Sequence, residues 1–422
     1  MEAFFYKGKE NILASDKAHT LESDSEPNFK KIKDAFLKVL DNKNLSFLLG
    51  SGCSSYEKEL HKKETQVGIP VMLPLAEEFY DLDGISKYKR WLKLFFKIDV
   101  EKENFRTNLE AFLSTLHSLS FYYSTSTKNT VLEKTEDRIN EIIKETRSFL
   151  LEKILNEGNI LSKADEPLLN AYKQFYRKLL SRNSTLPRLN IFTTNYDLYS
   201  EKAMDLMGIH YVNGFTGGIS KFFNPTIFNY ALAEKMDLSQ SKWSVIDNFF
   251  YLYKIHGSVN WIEAEGENKL FKVKEIQEPT FDSLKDKEIM IYPTPLKYNA
   301  SFGSPYSDLF REFQRKLMMN NNILVTIGYS FNDEHINNLI FQAFTIPSFR
   351  LIIIGEPTEN NKIGELQKLD DTRIWIIGGK EDGKQPLHYF ERFVNEILPD
   401  LTNEDLDKKM ETTINNLKDL LR

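Results

Sequence analysis

The feature that most constrains the fold of this chain is a set of short, nearly continuous apolar segments in its second half. RLNIFTT (188–194), FYLYKIHG (250–257), EIMIYP (288–293), ILVTIGYS (323–330), RLIIIGE (350–356) and RIWIIGG (373–379) are rich in β-branched or aromatic residues, and most end in glycine or a polar turn. A strand with one wet face alternates apolar and polar side chains. These segments largely do not, which is the pattern of strands covered on both faces of a parallel sheet. LSFLL (45–49) has the same character nearer the N-terminus. Helical patterns, SDLFREFQRKLMM (307–319) and DEHINNLIFQAF (333–344), separate some of the strands. Alternation of strand and helix predicts a doubly wound α/β fold with a mostly parallel sheet.

The rest of the chain differs in texture. Residues 1–26 are polar and mixed, with the acidic run Glu22-Ser23-Asp24-Ser25-Glu26, and read as a loose arm or assembly segment. Phe29, Ile32, Phe36, Leu37 and Leu40 then fall on one face at helical spacing. Residues 75–185 are rich in Leu, Lys, Glu and Phe and poor in Gly and Pro, and read as a helical insertion. Residues 386–422 read as two helices.

Composition narrows the function classes. With 41% hydrophobic residues, 31 Phe and 19 Tyr, the chain can build a sizeable core. The net charge is −6 and no long Lys/Arg run is present, so no nucleic-acid groove is expected. A single cysteine, Cys53, excludes an intrachain disulfide and a four-cysteine zinc site, and no metal is expected. No apolar stretch suits a signal peptide or a membrane span, so a cytoplasmic protein is the expectation.

Four motifs fall at the ends of expected strands. In LLGSGCSS (48–55), a Gly-x-Gly turn after a strand can present backbone N–H groups to a pyrophosphate, although position 55 is Ser where a third glycine would complete the dinucleotide fingerprint. The alternative is a plain tight turn. In TTNYDLYSE (193–201), Asn195 can hold a ribose hydroxyl or a water at a strand's carboxyl end, or Asn195 or Asp197 can cap the next helix. In KIHGSVNW (254–261), His256 is placed as a general base or hydroxyl contact, with a structural histidine as the alternative. In TIGYSFNDEHINNLI (326–340), Gly328 and Ser330 suit a ribose or phosphate, and Ser330 or Asn332 could instead cap the helix that Asp333 and Glu334 begin. His335 lies inside that helix and reads as structural. A dinucleotide site would gather these points in one crevice.

The ordered series GSGCS, TTNYD, KIHGSVNW and IGYSFNDEHIN resembles the SIR2-like family, and in particular the bacterial SIR2-domain NAD⁺ hydrolases of anti-phage defence, over roughly residues 44–356. The resemblance implies a sirtuin-like Rossmann core. It implies NAD⁺ as substrate, with Gly50, Ser51, Gly52, Cys53, Ser54, Thr194, Gly328 and Ser330 as its binding residues. Asn195, His256 and Asp197 are implied as the catalytic group. Gly68-Ile69-Pro70 resembles the family's "GIP", and Asn108 and Glu110 resemble an "N-[IL]-E" in the helical part of these hydrolases. The zinc ribbon of the deacylases is absent, and Thr194 replaces the usual Gln before the catalytic Asn. These departures favour water over an acyl-lysine as acceptor. The implied division is an N-terminal arm and helix (1–43), a SIR2-like domain (44–380, with the insertion at about 75–185) and a helical tail (381–422). The implied activity is cleavage of NAD⁺ to nicotinamide and ADP-ribose. The alternatives are an NAD-dependent deacylase or ADP-ribosyltransferase, and a non-catalytic NAD or ADP-ribose sensor. A short chain of this kind also resembles the member that works with a separate HerA-type ATPase, and a homo-oligomer is expected.

Overall fold

A computed structural model describes residues 3–13, 26–60, 63–69, 72–106, 109–126, 130–157, 166–237, 242–264, 272–285, 287, 289–291, 304–380 and 384–400. Pro70, Asn108, most of the acidic run and residues 401–422 lie outside the described residues, as does the side chain of Glu110.

The apolar segments become the centre of a nine-stranded sheet. Its strands are β1 (Phe4–Lys7), β2 (Glu10–Asn11), β3 (Asn44–Leu49), β6 (Asn190–Thr193), β7 (His210–Val212), β12 (Phe249–Lys254), β16 (Asn322–Ile327), β17 (Arg350–Ile354) and β18 (Ile374–Gly378), in the order β2-β1-β18-β17-β16-β3-β6-β12-β7. All pairings from β18 to β7 are parallel. The sheet is doubly wound and Rossmann-like. From β3 the chain passes first to β6 on one side, and it later returns to β16 on the other. The β3–β16 boundary is therefore the topological switch point, where open α/β sheets form a crevice outside the strands' carboxyl ends.

Both faces are covered, which explains why the strands read as continuous apolar runs. Phe47, Leu49, Ile191, Val325 and Ile327 face one core, with Phe36 of the helix Glu26–Leu40 and Tyr172 and Phe175 of the helix Glu166–Leu180. The alternate residues Leu48, Phe192 and Leu324 face a second core, with Leu309 and Phe313 of the helix Tyr306–Leu317 and Ile336 and Ile340 of the helix Glu334–Ala343. Residues 72–152 carry the helices Met72–Asp81, Asp83–Phe96, Glu103–Arg106, Leu109–Thr125 and Thr130–Glu152, and a third core around Phe79, Phe112 and Ile142. The helix Glu166–Leu180 shares their composition but packs against the sheet.

Three features differ from the sequence reading. The N-terminal segment is no loose arm over Phe4–Lys7. It pairs antiparallel with β18, with Phe5 only 2% exposed and edge-on to Trp375 at 5.2 Å. Its average polarity conceals a strand-forming Phe-Phe-Tyr that covers what would otherwise be an open sheet edge. EIMIYP supplies a strand, but outside the parallel sheet. Its described part, β15 (Ile289–Ile291), pairs antiparallel with β13 (Gly257–Glu263) in a smaller sheet, β15-β13-β14-β9-β8, that includes β8 (Phe215–Thr216), β9 (Lys221–Phe223) and β14 (Val273–Glu275). Two hairpins, Ser55–Leu60 with Lys63–Gly68 and Ala233–Asp237 with Lys242–Val245, were also not anticipated.

Candidate functional site

The four motifs meet at the carboxyl ends of β16, β3, β6 and β12, which are consecutive in the sheet. Leu49 is in register with both Ile327 and Thr193, and Thr193 with Lys254. The residues just beyond each strand therefore lie side by side along the crevice.

At the switch point the first and fourth motifs touch through backbone. Gly50 N–H donates to Ile327 O at 2.9 Å, and Gly52 N–H to Gly328 O at 3.0 Å. A Cβ on Gly50 would sit 2.3 Å from Gly328 O, and one on Gly328, whose φ is +62°, would sit 2.6 Å from Cys53 N. Glycine is thus required here so that two turns can pass at contact distance. The N–H groups of Gly50, Gly52, Cys53 and Ser54 are all engaged within the fold, the last two by Gly50 O and Ser51 O. Cys53 is buried and its thiol donates to Ile327 O at 3.2 Å, so its side chain faces the core; burial pushes its pKa well up, and Asp197 adds to the effect. Ser51 and Ser330 are exposed at the rim, and Thr194 is half-buried.

Asn195 is the most tightly held group. Its Nδ2 donates to Gly50 O at 3.0 Å and to Ser54 Oγ at 2.8 Å, and its main-chain N–H donates to Thr193 Oγ1 at 3.0 Å. Its Oδ1, buried with the rest of the residue at 7% exposure, has no hydrogen-bond partner. An orphaned buried amide oxygen costs free energy unless something outside the chain satisfies it. Ser54 Oγ is in turn 2.9 Å from the hydroxyl of Tyr172, on the helix Glu166–Leu180.

Asp197 Oδ1 accepts from Tyr199 N at 3.1 Å, just ahead of the helix Tyr199–Leu206, although the residue at that helix's N-terminal boundary is Leu198, which makes no side-chain cap. Asp197 also belongs to a buried polar cluster. Burial raises its pKa, while Lys254, the Ser54 hydroxyl and the Tyr199 N–H pull the other way. Lys254, 1% exposed, places its Nζ against the main-chain oxygen of Asp197, 3.4 Å from Tyr196 O and 3.0 Å from Glu201 Oε1. The Lys254–Glu201 pair was missed from sequence. Its one signal was a lysine closing the otherwise apolar strand FFYLYK, two residues before His256.

His256 lies in the tight turn between β12 and β13. It is 7% exposed, with its ring 6.4 Å from that of Tyr196 and its Nε2 3.8 Å from Asp333 Oδ1. Burial lowers its pKa below the ordinary histidine value, Asp333 partly opposes this, and His335 adds to the lowering. The imidazole is therefore neutral near pH 7, as a base must be. Asp333, which sits at the N-terminal boundary of the helix Glu334–Ala343 without capping it through its side chain, was not singled out as a partner of His256. Neither Ser330 nor Asn332 is the capping residue there.

Such a site can hold a hydroxyl or water on a fixed amide, with a neutral imidazole on the adjacent strand end. Among the described residues no group of three or more His, Cys, Asp or Glu stands together in a way that could hold a metal ion, and no helix is long and apolar enough to cross a membrane. No curated protein matches the chain. Residues 189–359, which carry three of the four motifs, match the model of the SIR2-like domain.

Proposed function

We propose that this protein is an NAD⁺ hydrolase releasing nicotinamide and ADP-ribose. The SIR2-like domain supports an NAD-related function. The observation that carries the finer reading is the Asn195 amide, clamped through Nδ2 by Gly50 O and Ser54 Oγ while its buried Oδ1 lacks a partner. A ribose hydroxyl or the attacking water supplies the missing donor. The bond between ribose C1′ and nicotinamide nitrogen breaks as a water oxygen bonds to C1′. Nicotinamide leaves neutral, and the water's proton passes to the neutral His256 imidazole. Asp197, on the same loop, supports Asn195 through the shared Ser54 hydroxyl. The Gly50–Ser54 turn with Thr194, Gly328 and Ser330 forms the cofactor crevice in this reading, within a domain spanning 44–380.

The test is nicotinamide release from NAD⁺ by wild type, Asn195→Ala and His256→Ala, each checked for native folding. Release by wild type alone supports the assignment, and undiminished release by both variants refutes it. Anti-phage defence by NAD⁺ depletion, a homo-oligomer and control by a HerA-type ATPase follow from the family resemblance alone. Co-expression of the chain with such an ATPase, followed by size-exclusion chromatography, tests the partnership.

A further inference from the structure

The amino ends of the parallel strands, opposite the crevice, break the apolar pattern that runs through the sheet. On β3, Leu45, Phe47 and Leu49 face the first core and Leu48 faces the second, so Asn44 and Ser46 lie on the second face. The same alternation puts Asn190 of β6, Tyr251 of β12 and Asn322 of β16 on that face. Register makes them neighbours: Asn44 pairs with Asn322, Ser46 with Asn190, and Asn190 with Tyr251. Four adjacent strands thus turn polar at one place.

These five residues line a cleft of about 560 Å³. That volume falls in the usual range for small-molecule sites, roughly 300–1,000 Å³. Ser46 and Asn322 are each 1% exposed. The Ser46 hydroxyl hydrogen-bonds to no described residue, and Asn322 uses only its Nδ2, toward Leu317 O at 3.4 Å. Buried polar groups are ordinarily satisfied, so this floor calls for a partner from outside the chain.

Two ammonium groups line the same cleft. Lys43 precedes β3, and Lys316 lies in the last turn of the helix Tyr306–Leu317. Neither makes an ion pair with a described residue. Lys316 is half-buried, with its Nζ 5.4 Å from the centre of the Tyr251 ring. Burial lowers its pKa and Arg315 adds to that, while Glu312, which opposes it, is held by Arg315 at 2.5 Å. A third cation on the wall, Arg188, is engaged by Asp247 at 2.7 Å and by Ser184 O at 2.8 Å. No carboxylate lines the cleft among the described residues. Two ammonium groups without an acid match a dianion, and a phosphate monoester is close to one at pH 7, with three strong acceptor oxygens. Leu186, Pro187 and Met319 make another part of the wall apolar.

We propose that this cleft, at the opposite end of the strands from the Asn195 crevice, is a second ligand site for a small phosphate monoester with an apolar body. The phosphate takes the Lys43 and Lys316 ammonium groups and the Ser46 hydroxyl, and the body lies against the apolar wall. The site does not depend on the NAD⁺ reading.

Phenyl phosphate, titrated calorimetrically into the full chain, is the probe. Saturable binding is expected, weakened about tenfold by Ser46→Ala and by Lys316→Met, since charge-assisted contacts are the strong ones, and unchanged by Asn195→Ala. Inorganic phosphate and benzoate should each bind more weakly, the first for want of the apolar body and the second for want of the second charge. Circular dichroism checks each variant, and Lys43→Met replaces Lys316→Met if that chain does not fold. No saturable binding by wild type, binding indifferent to these substitutions, or binding of inorganic phosphate or benzoate as tight as that of phenyl phosphate would each overturn the proposal. None of these readouts depends on NAD⁺ turnover.

Discussion

Replacing Lys254 by methionine tests the buried cluster beneath the Asn195 loop. The substitution keeps the stem's bulk in β12 and removes only the ammonium. Glu201 then loses its 3.0 Å partner while its other carboxylate oxygen, Oε2, already lacks one, and the oxygens of Tyr196 and Asp197 lose their donor. Removing one member of a buried ion pair costs about 3–5 kcal/mol, because the survivor is left as an uncompensated charge. That is a large share of the roughly 5–15 kcal/mol that keeps a domain folded. Urea denaturation near pH 7 should therefore show a sharply lowered midpoint for Lys254→Met. Lys254→Met combined with Glu201→Gln should recover at least about 1.5 kcal/mol of the loss, within the range of coupled neighbours.

The pH dependence gives a second check. Burial raises the Glu201 pKa above its ordinary value and Lys254 pulls it down, so the methionine variant raises it further. A carboxyl whose folded pKa exceeds its unfolded value contributes stability that is fully present below the unfolded pKa and is lost as pH rises through the folded one. The defect of Lys254→Met should accordingly shrink on acidification from pH 7 toward pH 5, and Glu201→Gln should abolish that slope. A loss under about 1 kcal/mol, with no pH dependence, would mean that water reaches the pair and that the loop does not depend on it.

Three further outcomes are expected. Gly328→Ala should cost about 2 kcal/mol or more in denaturant unfolding, since it combines a left-handed backbone with a Cβ 2.6 Å from Cys53 N; wild-type stability would show that the two turns can separate freely. Because burial lowers the His256 pKa, the acid limb of nicotinamide release should lie below the ordinary histidine value of about 6.5. The neutral form's contribution to stability is present above that value and is lost as pH falls through the folded pKa. Asp333→Asn should move the limb lower still, and a move upward would exclude Asp333 as the neighbouring charge. Tyr172→Phe should lower stability by about 1 kcal/mol and reduce kcat more than it changes KM, since it loosens Ser54 and, through it, Asn195; unchanged kcat would sever that link.

What could be read from sequence follows from how local each signal is. The strands 45–49, 188–194, 250–257, 323–330, 350–356 and 373–379 were legible because burial on both faces leaves nearly continuous apolar runs with few polar side chains to break them. Their ends then pointed to Asn195, His256 and Gly328. The small sheet was not legible: β8 has two residues, and β13 begins directly after His256, so GSVNWIE read as the sequel to a motif. The partners of the site residues were hidden for another reason. Tyr172 reaches Ser54 across 118 residues, and Glu201 reaches Lys254 across 53. A hydroxyl in an apolar helix or a glutamate in a short one carries no mark of its distant partner. The Gly-x-Gly turn likewise carries no mark of the close approach of Gly328, which leaves no room for a Cβ on Gly50 or Gly52.

That last point bears on how the crevice works. With the N–H groups of Gly50, Gly52, Cys53 and Ser54 already bonded inside the fold, the turn does not resemble a loop of free donors awaiting an anion. It is a rigid abutment that fixes Gly50 O and Ser54 Oγ, and those two atoms hold the Asn195 amide in one orientation. Rotation of that amide would set Oδ1 against Gly50 O, two acceptors face to face, and lose that bond, at a cost of about 1–3 kcal/mol. The orphaned oxygen is therefore kept facing its site before any substrate arrives, and a substrate hydroxyl or water meets an acceptor that needs no reorganisation. A Ser54→Ala variant separates the two halves of this clamp. The amide would keep Gly50 O and lose Ser54 Oγ, so nicotinamide release should fall by roughly tenfold, in a chain destabilised by about 1–3 kcal/mol because the buried Tyr172 hydroxyl also loses its Ser54 partner. A release rate equal to wild type would place the origin of Asn195's orientation in Gly50 O alone.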